Sequence, residues 1–497
     1  MKRRTRNFFA IAILTLALVL CFTVTALADD INPLQSTGIW LTGQLEPNER
    51  ASYDMTLAKS GTVSYEFTCT EECAGIIIAP KDGSRPGMMS DTYIHEGETV
   101  EKTRELNAGE YTVTIINDST SRKSSSYGYR IDVTYSKETY SMDNNEIAHA
   151  SGTLSFDKEI IGHHAFNDDF DIYRVVLNKS GRVNARVIPS PATTGIIVMD
   201  GQGNTIPTYV SETEDSEGFT YGIDLAPGTY YFKFTKGSIG KYQVVHQYEY
   251  TDVGEYKFTL SFQNAKEKYT YSNNSIAEVM DKTAVPLDKT IKGQLASNDE
   301  YDYYKLIIPK TGDYRITINE DSNFFSHGHP FSFNSLMKDD GTIIRADLEN
   351  TDNANPPQVT YYYRGLKKGT YYMQFFEDEY YSKKTGPYSF IAKPAPVSIY
   401  TPDAGKKSFT ARWEKGTGNG YQIQYALNKK MTKSKKTVFT TAKPKKGSTT
   451  VTKTFNKLKA KKTYYVRIRS YVNYKVNGKT KKAYSDWSDI QKVKTKK

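Results

Sequence analysis

The stretch Gly293-Gln294-Leu295-Ala296-Ser297-Asn298-Asp299-Glu300-Tyr301-Asp302-Tyr303-Tyr304 is followed by Lys310-Thr311-Gly312 and then by Leu366-Lys367-Lys368-Gly369-Thr370-Tyr371-Tyr372. The same order is written earlier in the chain. Gly162 precedes Asp171 by nine residues, as Gly293 precedes Asp302, and Lys179-Ser180-Gly181 and Leu225-Ala226-Pro227-Gly228-Thr229-Tyr230-Tyr231 follow. A first, more worn copy reads Gly43-Gln44-Leu45, Lys59-Ser60-Gly61 and Leu106-Asn107-Ala108-Gly109-Glu110-Tyr111. The period, about 120 to 140 residues, is that of a whole domain; solenoid units repeat every roughly 20 to 50 residues. The chain is therefore an array of like modules.

Composition sets the fold class. Aromatic residues make up 13% of the chain, with 39 tyrosines, and short alternating apolar runs are separated by Gly and Asn-Asp clusters. That pattern describes β-sandwiches, and no segment beyond residue 28 keeps a helical period. In Tyr230-Tyr231-Phe232-Lys233-Phe234, Tyr256-Lys257-Phe258-Thr259-Leu260-Ser261-Phe262 and Tyr464-Tyr465-Val466-Arg467-Ile468-Arg469 alternate residues are apolar, so one face looks inward. Asp82-Gly83, Asp200-Gly201 and Asp340-Gly341 fall at matching places and read as tight hairpin turns. They lack the alternating oxygen ligands of a calcium loop.

The order of Asn273-Asn274-Ser275-Ile276-Ala277, Gly-x-Leu, Asp-x-x-Asp-x-Tyr and Leu-x-x-Gly-Thr-Tyr-Tyr resembles the bacterial pre-peptidase C-terminal domain. The resemblance covers residues 142–394 well, as two copies, and 36–137 poorly. It implies a jelly-roll sandwich that takes calcium. It also implies a non-catalytic appendage of the kind carried by secreted proteases and chitinases, or the collagen-binding module of clostridial collagenases. Carried onto this chain, the calcium ligands are Asp168 with Asp171 and Asp299 with Asp302, completed by Asp143, Asn144 and Glu146 in copy two and by Asn273 and Asn274 in copy three. Copy one has Ala51 where Asp171 and Asp302 stand, so calcium is expected in copies two and three and not in copy one. The alternative is that these acids solvate a turn.

Beyond Ala392-Lys393-Pro394-Ala395-Pro396 the text changes. Ser408-Phe409-Thr410-Ala411-Arg412-Trp413, Tyr421-Gln422-Ile423-Gln424-Tyr425, the spacing of Leu458 from Tyr464 and Tyr484-Ser485-Asp486-Trp487-Ser488 resemble strands and the tyrosine corner of a fibronectin type III domain. The expected organisation is a signal peptide over 1–28, sandwich repeats over 29–141, 142–268 and 269–394, and a basic fibronectin type III domain over 395–497. The fold class is thus all-β: tandem, jelly-roll-like β-sandwich modules followed by an immunoglobulin-like sandwich.

Lys2, Arg3, Arg4 and Arg6, the apolar run from Phe8 to Val24 and Ala26-Leu27-Ala28 form a signal-peptide pattern, from which secretion and a mature chain beginning at Asp29 are expected. Read as a membrane anchor, the run sits at the low edge of spanning length. No other membrane segment is expected. In an oxidising compartment Cys69 and Cys73 read as a small local disulfide, with two thiols as the alternative; no second pair completes a metal site.

Charge divides the chain at the same boundary. Residues 395–497 hold 27 Lys plus Arg against Asp403, Glu414, Asp486 and Asp489, a net +23, whereas residues 29–394 hold 35 bases and 52 acids, a net −17. Such asymmetry concerns partners rather than fold. It points to a polyanion, with teichoic-acid-like phosphates of a cell wall as the extracellular candidate and nucleic acid the poorer fit for an exported chain; the bland reading is a soluble lysine surface. None of the histidines at 95, 149, 163, 164, 246, 327 and 329 lies in a metalloprotease or nucleophile-elbow motif. Tyr362, Tyr372 and Tyr380 read as a ligand face for polysaccharide or extracellular matrix protein, with ordinary aromatic packing as the alternative. The expectation is a monomeric, secreted, wall-associated adhesion protein without enzymatic activity. An accessory or inhibitory partner of a secreted hydrolase, or a hydrolase of unrecognised type, is the alternative.

Overall fold

The computed structural model describes residues 38–497, except 71–73, 84–88, 119–122, 141–145, 151, 169, 189–193, 207–210, 216–217, 237–252, 268–272, 300, 321–330, 353–357, 378–384 and 477. The described chain is almost entirely antiparallel β-structure. No helix among the described residues is long and apolar enough to cross a membrane.

Each copy is built from two sheets. In copy one the strands Leu41–Leu45, Ser125–Tyr135, Gly61–Cys69 and Thr99–Leu106 form one sheet in that order, and Arg50–Leu57, Gly109–Asn117, Ala74–Pro80 and Met89–Ile94 form the other. Copy three repeats the plan. Ile291–Leu295, Gly386–Pro394, Gly312–Glu320, Gln358–Leu366 and Leu348–Asp352 lie in one sheet, and Tyr301–Ile308, Gly369–Glu377, Phe331–Met337 and Ile343–Ile344 in the other. Copy two pairs Gly181–Ile188 with Gly218–Leu225 and Gly254–Asn264, and Phe170–Leu177 with Gly228–Lys236. The alternation visible in sequence is the burial seen in space: along Gly61–Cys69 every second side chain from Gly61 is buried and the others are half-buried.

Contacts divide the described chain into two compact units: residues up to 143 with 163–169 and 249–255, and the remainder. The core of the first holds Val63, Tyr65, Phe67, Ile76, Tyr111 and Val113. In the second, the copy-three core of Leu306, Ile316, Met373, Phe375 and Phe390 continues into Val472 and Ala483 of the C-terminal sandwich. That last sandwich packs Phe409, Trp413, Ile423, Tyr464 and Ile468.

The Leu-x-x-Gly-x-Tyr signature has a local cause. The hydroxyls of Tyr111, Tyr230 and Tyr371 each donate to the carbonyl four residues earlier, at Asn107, Ala226 and Lys367, and so pin the turn entering a strand. Asp340 accepts the Thr342 N–H, Gly341 has φ +79°, and the Gly341 N–H donates to the Lys338 carbonyl, as a turn requires. In the C-terminal sandwich the Tyr464 hydroxyl accepts the Lys459 N–H at 3.0 Å.

Candidate functional site

The first glycine of every repeat faces a tyrosine on the last strand. A Cβ at Gly43, Gly162 or Gly293 would overlap the ring of Tyr127, Tyr256 or Tyr388 respectively, so the three tyrosines can lie flat against the backbone only where the side chain is hydrogen. In copy two the Tyr256 hydroxyl donates to Asp171 Oδ2 at 2.6 Å, with the Tyr173 hydroxyl 3.2 Å away. In copy three the Tyr388 hydroxyl donates to Asp302 Oδ2 at 2.5 Å and lies 2.9 Å from the Tyr304 hydroxyl. Copy one reports what happens without the acid. Ala51 pairs with Ile115, as Asp171 pairs with Phe234 and Asp302 with Phe375, and there the Tyr53 and Tyr127 hydroxyls bond to each other at 2.9 Å.

Asp302 is the best-defined member. Its Oδ1 accepts from Asn273 Nδ2 at 2.7 Å, and the Asn273 carbonyl accepts the Tyr303 N–H at 2.7 Å, so Asn273 clamps the strand entry from both ends. Burial, then the negative charge of Asp299, holds the Asp302 carboxyl well above the usual range. Asp299 is pushed up to about 7 by burial and by the charges of Glu267 and Glu278. Among the described residues its buried Oδ1 has no hydrogen-bond partner. Glu267 is itself raised by burial, and accepts the Gln294 N–H at 2.8 Å. Acids that raise one another in a half-buried place are what a cation would relieve.

The other expected ligands are placed differently. Asn274 is exposed, and its N–H donates to Glu278 Oε2 at 2.6 Å while Ser275 Oγ accepts the Glu278 N–H. Ser275 is thus the N-cap of the short helix Ile276–Met280. Glu146 is exposed and precedes the 3₁₀ turn Ile147–His149. Asp143 and Asn144 lie outside the described residues. In copy two His164, Asp168 and Asp171 are all buried, His164 and Asp168 falling in the first compact unit and Asp171 in the second. His164 was not among the expected ligands, and Leu295 stands at its place in copy three. Among the described residues, Asp299 and Asp302 belong to no group of three His, Cys, Asp or Glu whose ligand atoms converge.

The ligand-face expectation needs correction at Tyr372, which is buried at 3% exposure, its ring closed to a polymer by sheet packing. Tyr362 is half-buried on the outer side of Gln358–Leu366. Tyr380 lies outside the described residues, as does Cys73. Cys69 is buried, with Sγ 3.9 Å from the Ile94 carbonyl.

A second set of repeated residues went unread in the sequence. Within the first unit, Asn167 Oδ1 accepts the Asn107 N–H and its Nδ2 donates to the Tyr111 hydroxyl, while the Phe166 N–H donates to the Glu105 carbonyl. His163 Nε2 lies 3.0 Å from Glu105 Oε2. Within the second unit, Asn298 Oδ1 accepts the Ala226 N–H and its Nδ2 donates to the Tyr230 hydroxyl, while the Ser297 N–H donates to the Asp224 carbonyl. Asp224, fully buried, also accepts from Arg182 and from Gln294 Nε2 at 2.9 Å. The Asn of the Gly-x5-Asp-x-x-Asp phrase therefore reads the tyrosine corner of the preceding copy. Gly365 stands where Glu105 and Asp224 stand, each one residue before the signature Leu, and copy three instead meets the C-terminal sandwich. There Lys393 and Arg315 bond Asp486, and Thr417 Oγ1 accepts the Asp313 N–H.

No family model matches the chain, and no curated protein matches it. Among solved structures, a β-1,2-glucanase from Parabacteroides distasonis is 10% identical with a TM-score of 0.18, over 43% of this chain and 34% of that one, so the chain spans about a third of the glucanase. The PBSX exported protein XepA is 10% identical with a TM-score of 0.16, over 46% of this chain and 90% of its own. The CUB1-EGF-CUB2 segment of human MASP-1/3 is 10% identical with a TM-score of 0.14, over 44% and 99%. Likenesses at this level carry no functional argument.

Proposed function

We propose that this chain is a secreted, wall-associated, non-catalytic binding protein. Its basic C-terminal module, read as a fibronectin type III domain, grips a cell-wall polyanion such as a teichoic-acid-like polymer. Its three acidic sandwiches, read as pre-peptidase C-terminal-like modules, present a polysaccharide- or matrix-protein-binding array. The observation that carries the reading is the charge step at residue 395, from −17 to +23. Repulsion keeps the acidic body off an anionic surface while the basic module is drawn to it. Salt extraction of fractionated cells tests this directly. About 0.5 M NaCl should release the protein from walls, and retention insensitive to salt would refute it.

As part of the same reading, copy three takes calcium at Asp299 and Asp302, with Asn273 as neighbour. Copy two takes calcium as well, and copy one, with Ala51 at the matching place, takes none. What supports this most is the buried Oδ1 of Asp299, which has no hydrogen-bond partner among the described residues. Isothermal titration of the metal-free chain at 0.1–1 mM calcium, the range of extracellular modules, should give heat that Asp299→Asn diminishes.

A further inference from the structure

The basic charge of the C-terminal sandwich has an address. Its strands Gly420–Ala426 and Thr463–Val476 pair from Gly420 with Tyr471 at one end to Ala426 with Tyr465 at the other. The first end is taken. Beyond Gly420, Lys310 donates to the Gly418 carbonyl and Thr417 accepts from Asp313, and beyond Tyr471 the Tyr474 hydroxyl reaches the Leu287 carbonyl. At the opposite end the chain leaves through the loops 427–435 and 456–462. Backbone bonds gather two more segments there: Leu458 N–H to the Lys407 carbonyl at 2.8 Å, Lys496 N–H to the Gly405 carbonyl at 2.8 Å, and Thr495 N–H to the Lys462 carbonyl at 3.0 Å.

Four segments, 404–407, 427–435, 456–462 and 491–497, therefore border one pole. Together they contain many lysines and no Asp, Glu, Arg or aromatic residue. Lys406, Lys459, Lys462 and Lys496 are all exposed. The pole is also firmly built. Thr495 Oγ1 donates to the Lys459 carbonyl at 2.6 Å, Tyr464 holds the Lys459 N–H, and Asn428 Oδ1 accepts the N–H groups of Thr432 and Lys433 around the buried Met431. The backbone of the pole is ordered before binding, so only the lysine side chains lose freedom when a ligand is held.

We infer that this distal lysine pole is the polyanion site, and that its ligand is a flexible phosphodiester polymer without bases. The inference rests on the polyanion reading above and gives it a location. Lysines act as point charges on phosphate, whereas planar or bidentate recognition calls for arginine. Binding of single-stranded nucleic acid adds aromatic platforms for base stacking, and these segments have none. Because copy three occupies the other end, a polymer held at this pole leaves the contacts with copy three undisturbed.

The test uses the full chain and poly(glycerol phosphate) as probe, with single-stranded DNA of equal charge as competitor. One variant carries K406Q, K459Q, K462Q and K496Q; a control carries K445Q, K446Q, K479Q and K481Q, lysines outside the four segments. Unchanged melting establishes that both fold. Expected is a loss of at least about tenfold in affinity and a salt slope shallower by up to about 3 for the pole variant, with less than about threefold loss for the control. Equal losses in both would overturn the pole while leaving the polyanion reading intact. DNA displacing the polymer at lower concentration would overturn the choice of ligand. Failure of the unmodified chain to bind either polymer would instead remove the polyanion reading itself.

Discussion

Replacing Asp299 by Asn should make copy three more stable at neutral pH and leave it unchanged in acid. The carboxyl is raised from 3.8 to about 7 by burial and by Glu267 and Glu278. A group that holds its proton more tightly when folded contributes stability that is complete below its unfolded value and is lost as pH climbs toward its folded one. Roughly three pH units at about 1.4 kcal/mol each set an upper bound of ~4 kcal/mol. Asp299 is half-buried, and solvent screening brings the expected effect to about 1–3 kcal/mol. Asn cannot ionise, so in EDTA the variant should match the parent near pH 4 and exceed it by that amount at pH 7. Hydrogen exchange of the full chain isolates copy three, because amides of the strands Tyr301–Ile308 and Gly386–Pro394 report its opening alone. In 5 mM calcium the order should reverse, since the parent gains a ligand the variant cannot hold. Equal protection of parent and variant at both pH values in EDTA would refute the account of the acid cluster.

Gly293→Ala forces a methyl group into the packed rings of Tyr304 and Tyr388 and should cost about 1–3 kcal/mol, read as earlier melting of copy three. Asp224→Ala strips partners from Arg182 and Gln294 and should cost about 3 kcal/mol in chemical denaturation, because a buried ion pair is broken from one side. Asn298→Ala removes the hydrogen bonds to Ala226 and Tyr230; a loss of about 1–2 kcal/mol is expected, seen as faster exchange at the Leu225–Gly228 turn with the copy-three core unaffected. Calcium at tenfold its dissociation constant should stabilise copy three by about 1.4 kcal/mol and copy one by nothing measurable in the same exchange experiment.

The period-two alternation and the Gly-Thr-Tyr turns made the sandwiches legible, because they are local consequences of strand pleat and turn geometry. The bond from the Lys459 N–H to the Tyr464 hydroxyl is local in the same sense, five residues apart. The partners of Asp302 were only half legible. Asn273 stood in the quoted motif, but Tyr388 lies 86 residues on, and only the recurrence of Tyr127, Tyr256 and Tyr388, each two residues before another aromatic, hints at it. The joint built by Asn167 and Asn298 stayed hidden because a repeated polar residue beside two aspartates reads as part of their site. Its partner is a turn in the previous copy, and sequence spacing says nothing of contacts made across that distance. Tyr372 misled for a simpler reason: alternation assigns adjacent tyrosines to opposite faces, yet both Tyr371 and Tyr372 are buried.

The most direct measurement is the salt dependence of binding of the intact protein to purified walls, before and after chemical removal of their phosphate polymers. Binding through many lysine–phosphate contacts predicts a steep linear fall of log affinity with log salt on native walls, and little binding once the polymers are gone. Binding that is equally tight on stripped walls, or flat between 50 mM and 500 mM NaCl, would contradict it.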